Sequence, residues 1–232
     1  MAAPRQLIVN ADDLGLSSAV NAGIAAAHEG GIVTSASLMV RQGAAPAAAS
    51  YAAAHPGLAV GLHIDLGQWD YLSGEWMVAY ERCDQDDAAA VERECRAQLE
   101  AFRRLLGRDP THLDSHQHTH MSEPVAGVAE RLAAELDVPL RARTIPYEGG
   151  FYGQTGKGEP LPEAIGVGNL VRILAALPAG WTELGCHPGL GMGGESSYAH
   201  EREEEVRALC DPRVRETIAA EEIELRSFAS LS

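Results

Sequence analysis

The chain has 232 residues, 46% hydrophobic and 22% charged, which is enough apolar material to bury one sizeable α/β core. Its 18 Lys and Arg face 33 Asp and Glu, and the formal net charge of −15 repels nucleic acid and anionic membrane surfaces alike. No apolar run approaches the ~20 residues of a bilayer span, MAAPRQ has no signal-like pattern, and Cys83, Cys95, Cys186 and Cys210 are scattered, so a cytoplasmic location without nucleic-acid or membrane partners is expected.

Short apolar runs alternate with Ala-rich helical segments along the whole chain. The first strand is expected over 6–10 and a helix over 18–31, stopped at Gly30-Gly31. A strand over 34–40, a helix over 45–55 and a strand over 58–64 follow. The segment 67–84 reads as a long loop carrying Trp69, Tyr71, Trp76 and Tyr80. Residues 86–107 show an apolar stripe of Val91, Cys95, Leu99, Phe102 and Leu106 at helical spacing. Then come a strand over 111–115, a helix over 123–136 and a strand over 138–142. The Gly- and Pro-rich stretch 144–166 reads as a second long loop. A helix over 167–177, strands over 181–186 and 222–228, and a helix over 199–210 complete the pattern. Strand and helix in alternation imply parallel pairing with right-handed crossovers. The fold expected is a single domain over 1–232, an incomplete (β/α) barrel of about seven parallel strands.

The polar residues collect where the strands end. Asp12 and Asp13 follow the first strand, His63 and Asp65 the third, and Asp114, His116, His118 and His120 the fourth, in HLDSHQHTH. Arg141 and Arg143 close the fifth and Cys186-His187 the sixth, in GCHPGLG. In a parallel barrel these ends share the face that carries the active site. An extended HQHTH would put His116, His118 and His120 on one side, and imidazole with carboxylate is a favoured set for zinc and its neighbours. A bound water then needs a base to take its proton. The adjacent Asp12 and Asp13 supply base and ligand between them. His28, His55, His112 and His200 stand alone and carry no such signal.

The segments LIVNADDLGLSSAVNAGI, GIVTSASLMV, VGLHIDL, THLDSHQHTH and CHPG resemble, in order and spacing, the YdjC-like carbohydrate deacetylases, over about residues 7 to 190. That resemblance implies a deformed (β/α) barrel and removal of the acetyl group from an N-acetylated sugar. It further implies a divalent metal, Mg2+ or Zn2+, held by Asp13, His63 and His116. Asp12 would be the general base, His187 the general acid, and Arg141 the residue that keeps the base ionised. It also suggests a homodimer. Spacing alone does not choose His116 over His118. The sequence departs from the family after HIDL, where an LT-x-G-x-P run is missing, while the stretch after CHPG keeps a Tyr-x-x-x-Arg-x-x-Glu pattern. Two rivals stand beside this reading: a metal-dependent hydrolase of another amide or ester, and a metal-dependent sugar-binding protein without turnover. A pure binder needs neither a base nor an acid, so the pairing of Asp12 with His187 favours an enzyme.

Overall fold

A computed structural model describes residues 3–72, 74–191 and 198–231. In chain order the first elements are β1 (Arg5–Leu14), α1 (Ser18–Glu29), β2 (Ser35–Leu38), α2 (Ala45–Ala54), β3 (Ala59–Ile64), β4 (Gly67–Leu72) and β5 (Glu75–Glu81). Next come α3 (Ala88–Leu106), β6 (Leu113–Ser115), a 3-10 turn (His116–Met121), α4 (Val125–Leu136), β7 (Tyr147–Glu148), α5 (Pro162–Ile165) and α6 (Val167–Ala176). β8 (Gly180–Cys186), α7 (Ala199–Leu209), α8 (Pro212–Ala220) and β9 (Ile223–Arg226) follow.

Seven strands form one parallel sheet in the order β6–β3–β2–β1–β8–β7, with β9 also on β1. β1 is its centre. β8 runs beside Arg5 to Ala11, and the other edge is divided between β9 at Arg5 to Ile8 and β2 at Asn10 to Leu14. Leu7, Ile8 and Val9 are fully buried, as a parallel strand covered on both faces requires. Among the described residues β6 and β7 do not pair, so the barrel is incomplete. Helices close over it. The long α3 buries Val91, Cys95, Leu99 and Phe102, starts on an Asp87 cap and stops at Gly107, whose φ of 67 suits a glycine.

Three expectations need correction. Residues 138–142 are not a strand, because the chain makes one parallel bridge from Leu113 to Leu140 and then turns at Ala142, where φ is 56. The segment 67–84 is not an irregular loop but contains the antiparallel hairpin β4–β5. Its cross-strand pairs, Trp69 with Val78 and Tyr71 with Trp76, are of the aromatic and β-branched kind that stabilises such ribbons. HQHTH is not extended, because Gln117 and His118 have left-handed φ values of 51 and 54 and kink the chain within the 3-10 turn. Beyond the expected elements stand the short β7 and α5 inside the expected loop 144–166, and α8, announced by the Asp211 cap and Pro212 at its first turn. Residues 192–197, inside the stretch after CHPG, lie outside the described residues. Among the described residues no helix is long and apolar enough to cross a membrane.

Candidate active site

β1 carries Asn10-Ala11-Asp12-Asp13 toward its C-terminal end. Neighbours on an extended strand face opposite ways. Here Asp13 has φ 66, in the left-handed region that Asp tolerates better than most residues, and the pairing with β2 shifts register between Ala11 and Leu14. Both carboxylates, each 2% exposed, therefore line the same cavity.

The ends of β3 and β6 bring two imidazoles to Asp13. Its Oδ1 lies 3.4 Å from His63 Nε2 and 3.0 Å from His116 Nδ1. The other His63 nitrogen, Nδ1, is 2.8 Å from Asp114 Oδ1, and Asp114 is fixed in turn by Ser37 Oγ at 2.6 Å. An imidazole held this way by a carboxylate presents its free nitrogen in one direction. The donor atoms of Asp13, His63 and His116 all lie within 4.8 Å of one another. His116 Nε2 is buried without a hydrogen-bond partner among the described residues. Burial opposes a charge on His63, but Asp114 and Asp13 outweigh it and hold its pKa well above the usual value, so the pocket favours positive charge at this point. One carboxylate with two imidazoles is a donor set that fits zinc and its neighbours. Asp12, His63 and Asp114 also cluster, but both Asp12 oxygens and Asp114 Oδ2 are already taken by Arg141, Asn10 and Ser37, and Asp114 Oδ1 by His63 Nδ1.

The turn separates the three histidines expected on one side. His116 faces Asp13. His118 lines the cavity against the Tyr147 ring, with centroids 5.4 Å apart. His120 is fully buried, its Nδ1 2.6 Å from Ser115 Oγ.

Asp12 has a different neighbour. Arg141 donates to both of its oxygens at 2.6 Å and to Glu183 Oε1 at 2.7 Å. Burial works against a charge on Asp12, and the Arg141 guanidinium outweighs it, leaving the carboxyl below its usual range. Burial pushes Glu183 up to about 7. Tyr147 covers the Arg141 guanidinium, 4.9 Å from ring centroid to Cζ. That approach needs Gly185 on β8, because any Cβ there would collide with the Tyr147 hydroxyl.

His187, just past β8, puts Nε2 3.7 Å from Asp12 Oδ2. Burial holds its imidazole down to about 4, so it is neutral near pH 7. α7 fixes its place. Glu205 accepts from the His187 backbone N–H and from the Tyr198 hydroxyl, the latter at 2.6 Å, and Arg202 Nη1 donates to the His187 carbonyl at 3.2 Å.

The chain matches the YdjC-like protein family over residues 6–220. It is 31% identical to the chitooligosaccharide deacetylase of Serratia marcescens, over 97% of this chain and 98% of that one. It is 35% identical to a carbohydrate deacetylase of Geobacillus stearothermophilus, over 97% of each chain. The chain belongs to the YdjC-like family. A crystal structure from Enterococcus faecalis V583 superposes on this YdjC-like chain with a TM-score of 0.82 and 27% identity, covering 99% of it and 100% of the other chain.

In this YdjC-like protein Asp12, Asp13, His63, His116 and His187 line one cavity of about 530 Å³, and Arg141 sits fully buried behind Asp12. The hairpin supplies one wall with Trp69, Tyr71 and Trp76, and the 144–166 stretch supplies another with Phe151, Tyr152 and Gln154. Tyr80 is not part of the wall. Its hydroxyl donates to Asp65 Oδ1 at 2.9 Å, and Arg82 donates to Asp65 Oδ2 at 2.7 Å, so Asp65 anchors the hairpin base. Gln117 clasps the hairpin from the histidine turn, accepting from Trp69 N–H at 3.0 Å and donating to its carbonyl at 2.7 Å. Sequence reasoning missed the parts played by Asp114, Glu183, Arg202 and Glu205. The Tyr-x-x-x-Arg-x-x-Glu spacing, which falls as Tyr198 at the N-cap of α7 and Arg202 and Glu205 on that helix, was the available signal for two of them.

Proposed function

We propose that this protein is a carbohydrate deacetylase that hydrolyses the acetamido group of an N-acetylated sugar or short oligosaccharide. The observation that carries the reading is a single cavity in which Asp13 meets His63 and His116 while Asp12 and His187 stand beside them. The relatives named as deacetylases supply the substrate class. Asp13, His63 and His116 would hold a divalent cation, Mg2+ or Zn2+. When bound, it polarises the acetyl carbonyl and makes water more acidic.

The remaining chemistry belongs to side chains. Asp12, kept ionised by Arg141, takes the proton of the attacking water as the C–O bond forms. His187 starts neutral, so the proton it delivers has to be acquired during the reaction. Its Nε2 lies 3.7 Å from Asp12 Oδ2, which supports His187 as the group that carries the water's proton to the leaving nitrogen as the C–N bond breaks. The products are acetate and the free amino sugar. Trp69, Tyr71 and Trp76 offer aromatic faces to sugar rings.

The test is acetate release from a panel of N-acetyl sugars and acetyl esters, with and without chelator. Release from the amides, abolished by chelation and restored by a divalent metal, is the expected result. Turnover of esters alone moves the assignment to an esterase. Binding of the sugars without release of acetate from any substrate would sink the enzyme reading.

A further inference from the structure

Asp13 divides its two oxygens. Oδ1 faces both histidines, at 3.0 Å from His116 Nδ1 and 3.4 Å from His63 Nε2. Oδ2 is taken by Arg202 Nη2 at 2.5 Å. Arg202 is itself 5% exposed and reaches the site from α7. Its other terminal nitrogen donates to the His187 carbonyl at 3.2 Å, and its guanidinium lies 5.6 Å from the centroid of the Tyr198 ring. The arginine is thus braced on two further sides and does not depend on Asp13 alone for its position.

We infer that Arg202 is a positioning residue that restricts Asp13 to one metal-binding oxygen and neutralises its charge. This rests on Asp13, His63 and His116 being the metal ligands. Two consequences follow from the chemistry. A carboxylate confined to one oxygen occupies one coordination position rather than two, which leaves room for water and substrate. A guanidinium within a few ångströms of a divalent cation also repels it, so the site trades affinity for open positions. The arrangement mirrors Arg141 on Asp12: each of the adjacent carboxylates has its own arginine, but Arg141 holds both oxygens of its partner and Arg202 holds one.

The experiment uses cobalt(II) as the probe on the full-length metal-stripped protein. Affinity is measured by competition with a chromogenic chelator for wild type, Arg202→Met, Arg202→Lys and His116→Ala. Arg202→Met is expected to bind cobalt on the order of tenfold tighter or more, since a full positive charge beside the ion is gone. Arg202→Lys keeps the charge and should stay close to wild type. Unchanged or weaker binding by a folded Arg202→Met overturns the inference, while the loss of binding in His116→Ala keeps the ligand assignment standing. Equal binding by wild type and His116→Ala overturns the ligand assignment and this inference with it. Should Arg202→Met fail to fold, a crystal structure of the cobalt-loaded wild-type protein decides. One Asp13 oxygen on the metal with the other still on Arg202 is the expected arrangement, and both oxygens on the metal would overturn it.

Discussion

Arg141 grips both oxygens of Asp12 at 2.6 Å and is itself fully buried, so the catalytic carboxylate proposed here is held in one orientation and kept charged. A lysine cannot reproduce a two-pronged grip. Arg141→Lys should therefore let the pKa of Asp12 rise from its lowered position, because burial would be opposed less effectively. Asp12 would then stay protonated to higher pH, and the acid limb of the kcat–pH profile should move upward. An acid limb that does not move in this variant means that Asp12 is not the group it reports.

The adjacent carboxylates should separate cleanly when each becomes an amide. Asp13→Asn removes charge from the set formed with His63 and His116, and bound metal should fall. Asp12→Asn should keep its metal yet lose the base, with kcat down by ~10²–10⁴-fold. Metal content and kcat of both purified variants are the measurements. Metal lost from Asp12→Asn but retained in Asp13→Asn would reverse the two roles.

His116 and His118 are two residues apart but differently placed. His116 Nδ1 is 3.0 Å from Asp13, whereas His118 packs on Tyr147. Substituting His116→Ala should strip bound metal and activity together, and His118→Ala should retain full metal occupancy. The opposite pattern in metal analysis would transfer the ligand role to His118.

Glu205 makes stability depend on pH with a definite sign. Burial raises its pKa from 4.5 to about 8. Between those values the folded state holds a proton that the unfolded state has released, so stability falls as pH rises through that window. Glu205→Gln removes this titration while leaving an oxygen to accept from His187 N–H. The variant should lose less stability than wild type between about pH 5 and about pH 8, by on the order of a few kcal/mol. Denaturant unfolding of the metal-free proteins at both pH values checks it, and parallel declines would count against a buried proton on Glu205.

Much of this protein could be read without a structure. Continuous apolar runs such as Leu7-Ile8-Val9 mark parallel strands because both faces of such strands are buried, and neither face needs polar residues. The positions of Asp12, Asp13, His63, His116 and His187 were legible for a related reason. Parallel strands all point the same way, so residues at successive strand ends meet in one cavity whatever the intervening helices contain.

Tertiary structure decided what depends on backbone sign and on partners far along the chain. HQHTH has the alternation of a strand, yet left-handed φ values at Gln117 and His118 turn it and send three histidines to three places. Residues 138–142 have strand composition, but a reversal at Ala142 leaves one bridge and points Arg141 at Asp12, 129 residues away in sequence. The same holds for Arg202 on Asp13, across 189 residues. Local pattern reports which side chains are buried and at which period. It carries no record of which buried charge meets which, because that pairing exists only once the sheet has brought both ends of the chain to the same edge.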